Sequence, residues 1–175
     1  ERGILLVVAD GMGGHAAGEV ASALVVDSLR RSLSAPGADT SGMQRLIDNA
    51  VKRANADVFE TARATRKQGM GATLTAVLVH HDEAYIAGVG DSRAYILRQG
   101  RLRQITKDQS FVQLLVDAGA MTAEEAKVSS QKNVILQGMG LKDDVQVSIG
   151  RLQLRRGDRL LLCSDGLSNL VPDDE

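Results

Sequence analysis

One cysteine in 175 residues rules out an internal disulfide framework. Cys163 sits in the apolar run Leu160 to Cys163 and reads as a small buried hydrophobe. No apolar run approaches the roughly 18 residues that cross a bilayer, and no signal peptide is visible. Net charge is close to nil, with 21 Lys and Arg against 22 Asp and Glu. That balance exerts no bulk pull on nucleic acid or on an anionic membrane surface. The histidines, His15, His80 and His81, stand at no zinc-like spacing. The G-x-S-x-G elbow, a Cys/His nucleophile pair and a Walker lysine are all missing. Repeats and low-complexity tracts are missing too.

What is present fits a single domain spanning 1–175, long enough for one core and too short for two. Apolar residues make up 43% and charged residues 25%, the balance of a soluble globular chain. After a glycine-rich turn, His15 to Leu33 reads as a helix with Val20, Leu24, Val25 and Leu29 on one stripe. Ser34 to Ser41 reads as a loop, and Gly42 to Arg66 as a second helix through Ile47, Val51, Ala54 and Val58. Short strands follow at Ala72–His80, Glu83–Val89, Ser92–Arg98 and Arg101–Ile105, with Gln99-Gly100 as a tight hairpin turn. A helix over Ser110–Ala118 and a capping box at Thr122 and Glu125 come next. The region 127–144 reads as irregular, and strands resume at Val145–Leu154 and Arg159–Cys163. Helices first and strands afterwards predict an α+β fold of antiparallel sheets covered by helices.

The most informative stretch is Ile4 to Gly14, an apolar strand that runs into Asp10 and then a glycine turn. A carboxylate at the end of a buried strand needs a partner. Leu160 to Gly166 repeats the pattern with Asp165, and Gly90-Asp91 places a third Asp between strands. The glycines at 11, 13, 14 and 18 do not match G-x-G-x-x-G, and Asp10 would repel a phosphate seated there directly. Metal-mediated phosphate binding is therefore favoured over an anion cradle. Hard oxygen donors without a His/Cys cluster suit magnesium or manganese. Taken alone, each Asp has a second reading: a helix cap for Asp10 and Asp165, and a turn paired with Arg93 for Asp91.

The three motifs in this order resemble the bacterial branch of the metal-dependent type 2C serine/threonine protein phosphatases. The resemblance rests on residues 8–19, on Gly71-Ala-Thr-Leu-Thr75, and on Gly88-Val-Gly-Asp-Ser-Arg-Ala-Tyr95. It continues through residues 104–108, 111–119, Asn133-Val-Ile135 and Leu162-Cys-Ser-Asp-Gly-Leu167. It implies a pair of antiparallel sheets between helix layers, with residues 107–140 as a flap that shapes access by phosphoprotein substrates. Asp10 would bridge two manganese or magnesium ions, the Gly11 carbonyl would add a ligand, and Asp165 would hold one of the pair. Asp91 would help bind a third, weaker ion. The implied reaction is hydrolysis of phosphoserine and phosphothreonine in proteins by a metal-bridging water. Implied partners are phosphorylated proteins, either substrates of a bacterial Ser/Thr kinase or the kinase itself, and the implied compartment is the cytoplasm. No nucleic acid and no membrane segment are expected. A phosphatase-like regulatory or binding module without turnover is the alternative.

Some positions depart from the family pattern. Met12 stands where some relatives carry a His proposed as an acid; His15 lies nearby and reads more readily as a solvated helix start. Ser129-Ser-Gln-Lys132 replaces the His-Pro-Gln-Arg often found before Asn-Val-Ile. Relatives also begin with a strand carrying an Arg and an Asn-Glu/Gln-Asp motif, and end with an Asp-Asn motif. Here Glu1-Arg2 enters a strand directly and Pro172 to Glu175 reads as the opening turn of a helix. Both ends read as cut, so this piece is expected to lack metal ligands and a central strand.

Overall fold

The computed structural model describes residues 3–35 and 42–173. Most of the expected 34–41 loop, and the end of the expected turn at 172–175, lie outside the described residues. The elements in order are β1 (Ile4–Val8), β2 (Gly11–Met12), α1 (His15–Ser34), α2 (Met43–Ala64), β3 (Gly71–Ala72), β4 (Leu74–His80) and β5 (Glu83–Val89). They continue with β6 (Arg93–Arg98), β7 (Arg101–Gln104), α3 (Phe111–Asp117), α4 (Ala123–Val128), β8 (Ser148–Gln153), β9 (Arg159–Cys163) and α5 (Asp165–Ser168).

The α+β reading holds, and every strand pairing is antiparallel. One sheet runs β1-β4-β5-β8, a second runs β7-β6-β9, and β2 pairs with β3. Alternation along β4 and β5 divides the core in two, because successive side chains point to opposite faces. Leu74, Ala76 and Leu78, with Tyr85, Ala87 and Val89, pack toward α1 and α2. Val77, Ala84 and Ile86 meet Ala94 between the sheets, where Leu160 and Leu162 of β9 join them. Cys163 closes that strand at 7% exposure, and burial pushes its thiol up, as an inert core residue requires.

The helices show what the periodicity captures and what it misses. In α2, Ile47, Val51, Ala54 and Val58 are all fully buried, as their spacing predicts. In α1, Val25 and Leu29 are fully buried and Leu24 packs against the core as expected, but Val20 is 40% exposed, and Ala17, Ala21 and Ser28 complete the buried stripe. Small residues bury here because the helix start lies against backbone. A Cβ on Gly11 would come within 2.0 Å of the Gly18 carbonyl oxygen. The glycine turn also holds the short strand β2, paired through Gly11↔Ala72 and Met12↔Gly71, which the sequence reading leaves as a loop. Gln99 and Gly100, both at positive φ, form the expected hairpin turn. Ser110 caps α3, and Thr122 with Glu125 forms the full capping box of α4.

Candidate metal centre

Strand geometry delivers the carboxylates. The register Val8↔Thr75 ends the β1–β4 ladder, and the chain then stays tied to the neighbouring strand through Asp10. Thr73 N–H donates to the Asp10 carbonyl at 2.8 Å, and Asp10 N–H donates to Thr73 Oγ1 at 3.1 Å. Thr73 Oγ1 also shares a 2.7 Å hydrogen bond with Ser92 Oγ, and Thr75 Oγ1 donates to the Ser92 carbonyl at 2.6 Å. These buried hydroxyls hold the Asp10 backbone and the residue after Asp91 in one network. Thr73 and Thr75 stand in the Gly71–Thr75 motif, where nothing local in the sequence marks them for this role.

Three of the four residues proposed as ligands lie within reach of one another's charge. Asp10 leaves β1, Asp91 sits in the β5–β6 turn, and Asp165 opens α5 directly after β9. Burial first, then the charge of Asp165, pushes the Asp10 carboxyl up. Asp91 is pushed up to about 6, first by burial and then by the charges of Asp165, Asp108 and Asp10. Gly11 sits in β2 beside them. His15 opens α1, and its side chain lies outside the described residues.

The alternative roles fall away on geometry. Gly14 is the N-cap of α1 and makes no side-chain cap bond, so Asp10 does not cap that helix. Ser164 holds the N-cap position of α5, which puts Asp165 inside the first turn. Arg93 turns to Asp108 rather than to Asp91, with Nη2–Oδ2 at 2.7 Å and Nε–Oδ1 at 3.0 Å. Asp91 is thus left among carboxylates.

A donor set made of carboxylates suits a hard divalent cation. Among the described residues, no three His, Cys, Asp or Glu side chains stand close enough together to hold one ion. Asp10, Asp91 and Asp165 stand within electrostatic reach of one another, each offering a hard oxygen donor.

A cleft of about 400 Å³ opens beside these groups. Asp91, Asp165, the Arg93–Asp108 pair, Lys127 and Lys132 all line it, the two lysines coming from the 107–140 segment. Asn169 Nδ2 donates to Asp165 Oδ2 at 3.2 Å and to Asn133 Oδ1 at 3.4 Å, tying the acid to that segment. The segment closes on itself at its root. Phe111 N–H donates to the Val134 carbonyl and Leu136 N–H to the Gln109 carbonyl, both at 2.7 Å. Its return is fixed by Asn55 of α2, buried at 1% exposure. Asn55 Oδ1 accepts from Gly140 N–H at 2.7 Å, and its Nδ2 donates to the Lys142 and Asp143 carbonyls at 3.0 and 3.1 Å.

Comparison with known proteins gives a consistent result. The serine/threonine protein phosphatase PstP of Mycobacterium tuberculosis is 44% identical over 172 residues, covering 97% of this chain and 33% of that protein. This chain therefore spans about a third of that relative's length. The serine/threonine phosphatase stp of Listeria monocytogenes is 36% identical over 178 residues, covering 98% of this chain and 69% of the relative. A crystal structure of the PstP catalytic domain in complex with two manganese ions superposes with a TM-score of 0.84 at 44% identity, covering 97% of this chain and 70% of that one. The model of the protein phosphatase 2C family matches residues 1–175. A match of that extent makes this chain a member of the protein phosphatase 2C family.

Proposed function

We propose that this chain supplies the metal centre and substrate cleft of a hydrolase acting on phosphoserine and phosphothreonine in proteins. The observation that supports the reading is that Asp10, Asp91 and Asp165 lie within one another's electrostatic reach, a repulsion that a divalent cation would relieve. The manganese-containing relative supports it. In this reading Asp10, the Gly11 carbonyl and Asp165 hold two core ions, manganese or magnesium, and Asp91 holds a third. Such ions, when bound, neutralise phosphoryl charge and acidify water for in-line attack on phosphorus.

The chain's own residues do the rest. Thr73 and Ser92 fix the backbone that presents Asp10, and Asn169 holds the Asp165 carboxylate through Nδ2. Lys127 and Lys132 draw a phosphoprotein into the cleft by charge. Residues 107–140 act as the flap over the site within one domain, 1–175. The substrates are phosphorylated proteins, those of a bacterial Ser/Thr kinase or the kinase itself, in a cytoplasmic signalling role. No helix of the described residues is long and apolar enough to cross a membrane.

The test is manganese-dependent phosphate release from a phosphothreonine peptide by the full-length protein, alongside Asp10→Asn and Asp165→Asn. Activity that disappears in both variants supports the reading. A folded wild-type protein that binds the peptide but releases no phosphate at any manganese concentration overturns it in favour of a binding or regulatory module.

A further inference from the structure

A second cleft, of about 510 Å³, lies where α2 ends, between its last turns, the 66–70 turn and Gly140–Leu141. Its volume is in the range of small-molecule sites. The floor is apolar: Phe59, Ala62 and the buried Met70, with Leu141 packed over Gly71. The rim is basic, formed by Arg63, Arg66 and Lys67. Among the described residues these three cations form no ion pair, and no Asp or Glu lines the cleft. Further back on the same helix, Lys52 and Arg53 pair with Asp48 and Asp57. The guanidinium of Arg63 lies over the Phe59 ring, 5.8 Å from its centroid, which places positive charge against the aromatic floor.

A cation near a helix C-terminus complements the helix dipole, and that alone accounts for Arg63. It does not account for Arg66. The end of α2 is a Schellman cap: Arg66 N–H donates to the Arg63 carbonyl at 3.2 Å and Lys67 N–H to the Ala62 carbonyl at 3.0 Å. The left-handed position of that cap, φ 54°, is where glycine sits without strain, yet here it carries an arginine. A strained position that gains a guanidinium on the rim of a cleft points to use of that group. The same cleft wall backs the metal loop. A Cβ on Gly13 would lie 2.4 Å from the Gly69 carbonyl oxygen.

We propose that this cleft is a binding site for a small organic anion. The ligand's flat or aliphatic body rests on Phe59, Met70 and Leu141, and its phosphate, sulfonate or carboxylate is held by Arg66 and Lys67. The inference stands apart from the phosphatase reading, since none of these residues belongs to the metal centre.

The test uses two probes of nearly the same shape. Anilinonaphthalene sulfonate carries the anionic group, and N-phenyl-1-naphthylamine is its neutral counterpart. Each is titrated by fluorescence into the full-length protein and into Arg66→Gly/Lys67→Gln. Glycine preserves the cap, so the variant keeps its fold, as circular dichroism would verify. The sulfonate is expected to bind the wild type more tightly than the neutral probe, and to weaken roughly tenfold or more in the variant. Amide shifts induced by the sulfonate are expected at Gly69, Met70 and Leu141. Equal sulfonate affinity in wild type and variant, equal binding of the two probes, or shifts confined to other regions would each overturn the proposal.

Discussion

Asn55 offers the sharpest test of how the fold is tied together. Replacing it with alanine removes three hydrogen bonds, but their costs differ. The carbonyls of Lys142 and Asp143 belong to exposed residues, so water can replace the lost donor. Gly140 is buried, and its N–H loses its acceptor outright. An orphaned buried donor costs about 1–3 kcal/mol, and the two exchanged bonds with the vacated volume add about 1 kcal/mol. The expected loss is about 2–4 kcal/mol, read as a lower urea midpoint at unchanged slope. At about 2–4 °C per kcal/mol for a chain of this size, Tm falls by roughly 5–15 °C. Asn55→Asp keeps the acceptor for Gly140 but turns a buried negative charge toward two carbonyl oxygens, so it is expected to be at least as damaging. Hydrogen exchange at the Gly140 amide localises the effect. Loss below about 1 kcal/mol in Asn55→Ala, with Gly140 still protected, would show that the reasoning is wrong.

Three further outcomes follow from other parts of the structure. Arg98 donates to both carboxylate oxygens of Asp158, which is 6% exposed, and this hydrogen bonding holds Asp158 at about 2. A depressed carboxylate stabilises the fold above its unfolded value, about 4, and that contribution fades as pH falls toward 2. Asp158→Asn should therefore flatten the dependence of the urea midpoint on pH across that window, and an unchanged profile would refute the assignment. Arg66→Gly relieves a left-handed arginine and should raise Tm by about 2–4 °C, equivalent to about 1 kcal/mol; a fall would show that the side chain packs favourably there. Thr73→Val removes the hydroxyl that accepts from Asp10 N–H and should weaken manganese binding about 10–100-fold by calorimetry, with Thr73→Ser restoring it. Wild-type affinity in the valine variant would show that the hydroxyl network does not position Asp10.

The sequence revealed those features whose cause is local. The α2 stripe, the Gln99-Gly100 turn and the Thr122 capping box each depend on neighbours within a turn or two, and each appears as expected. The strand-end carboxylates were legible because a charge after an apolar run has few structural uses. What escaped depends on distant partners. Thr73 meets Asp10 across 63 positions, and Asn55 meets Gly140 across 85. Nothing near either residue marks it as more than an ordinary polar side chain. The β2–β3 pair is two residues long on each side, too short for any periodicity to register. The one misplaced member of the α1 stripe, Val20, has the same origin. Hydrophobicity ranks Val20 above Ala17 and Ala21, but close backbone approach at Gly11 and Gly18 favours the smaller residues.

The closed root of the cleft wall bears on how such a chain can diversify. Gln109 and Phe111 meet Leu136 and Val134 by backbone bonds, while Arg93 and Asn55 hold Asp108 and Gly140 to the main body. Residues 112–132 therefore form a closed excursion whose ends are fixed whatever lies between them. Because loop-closure entropy rises only with the logarithm of length, this stretch can lengthen, shorten or be exchanged for another with little strain on the carboxylates. The cleft wall and the carboxylates can then change independently, and grafting a foreign 112–132 segment, which keeps Asn133, is the way to alter the one without rebuilding the other.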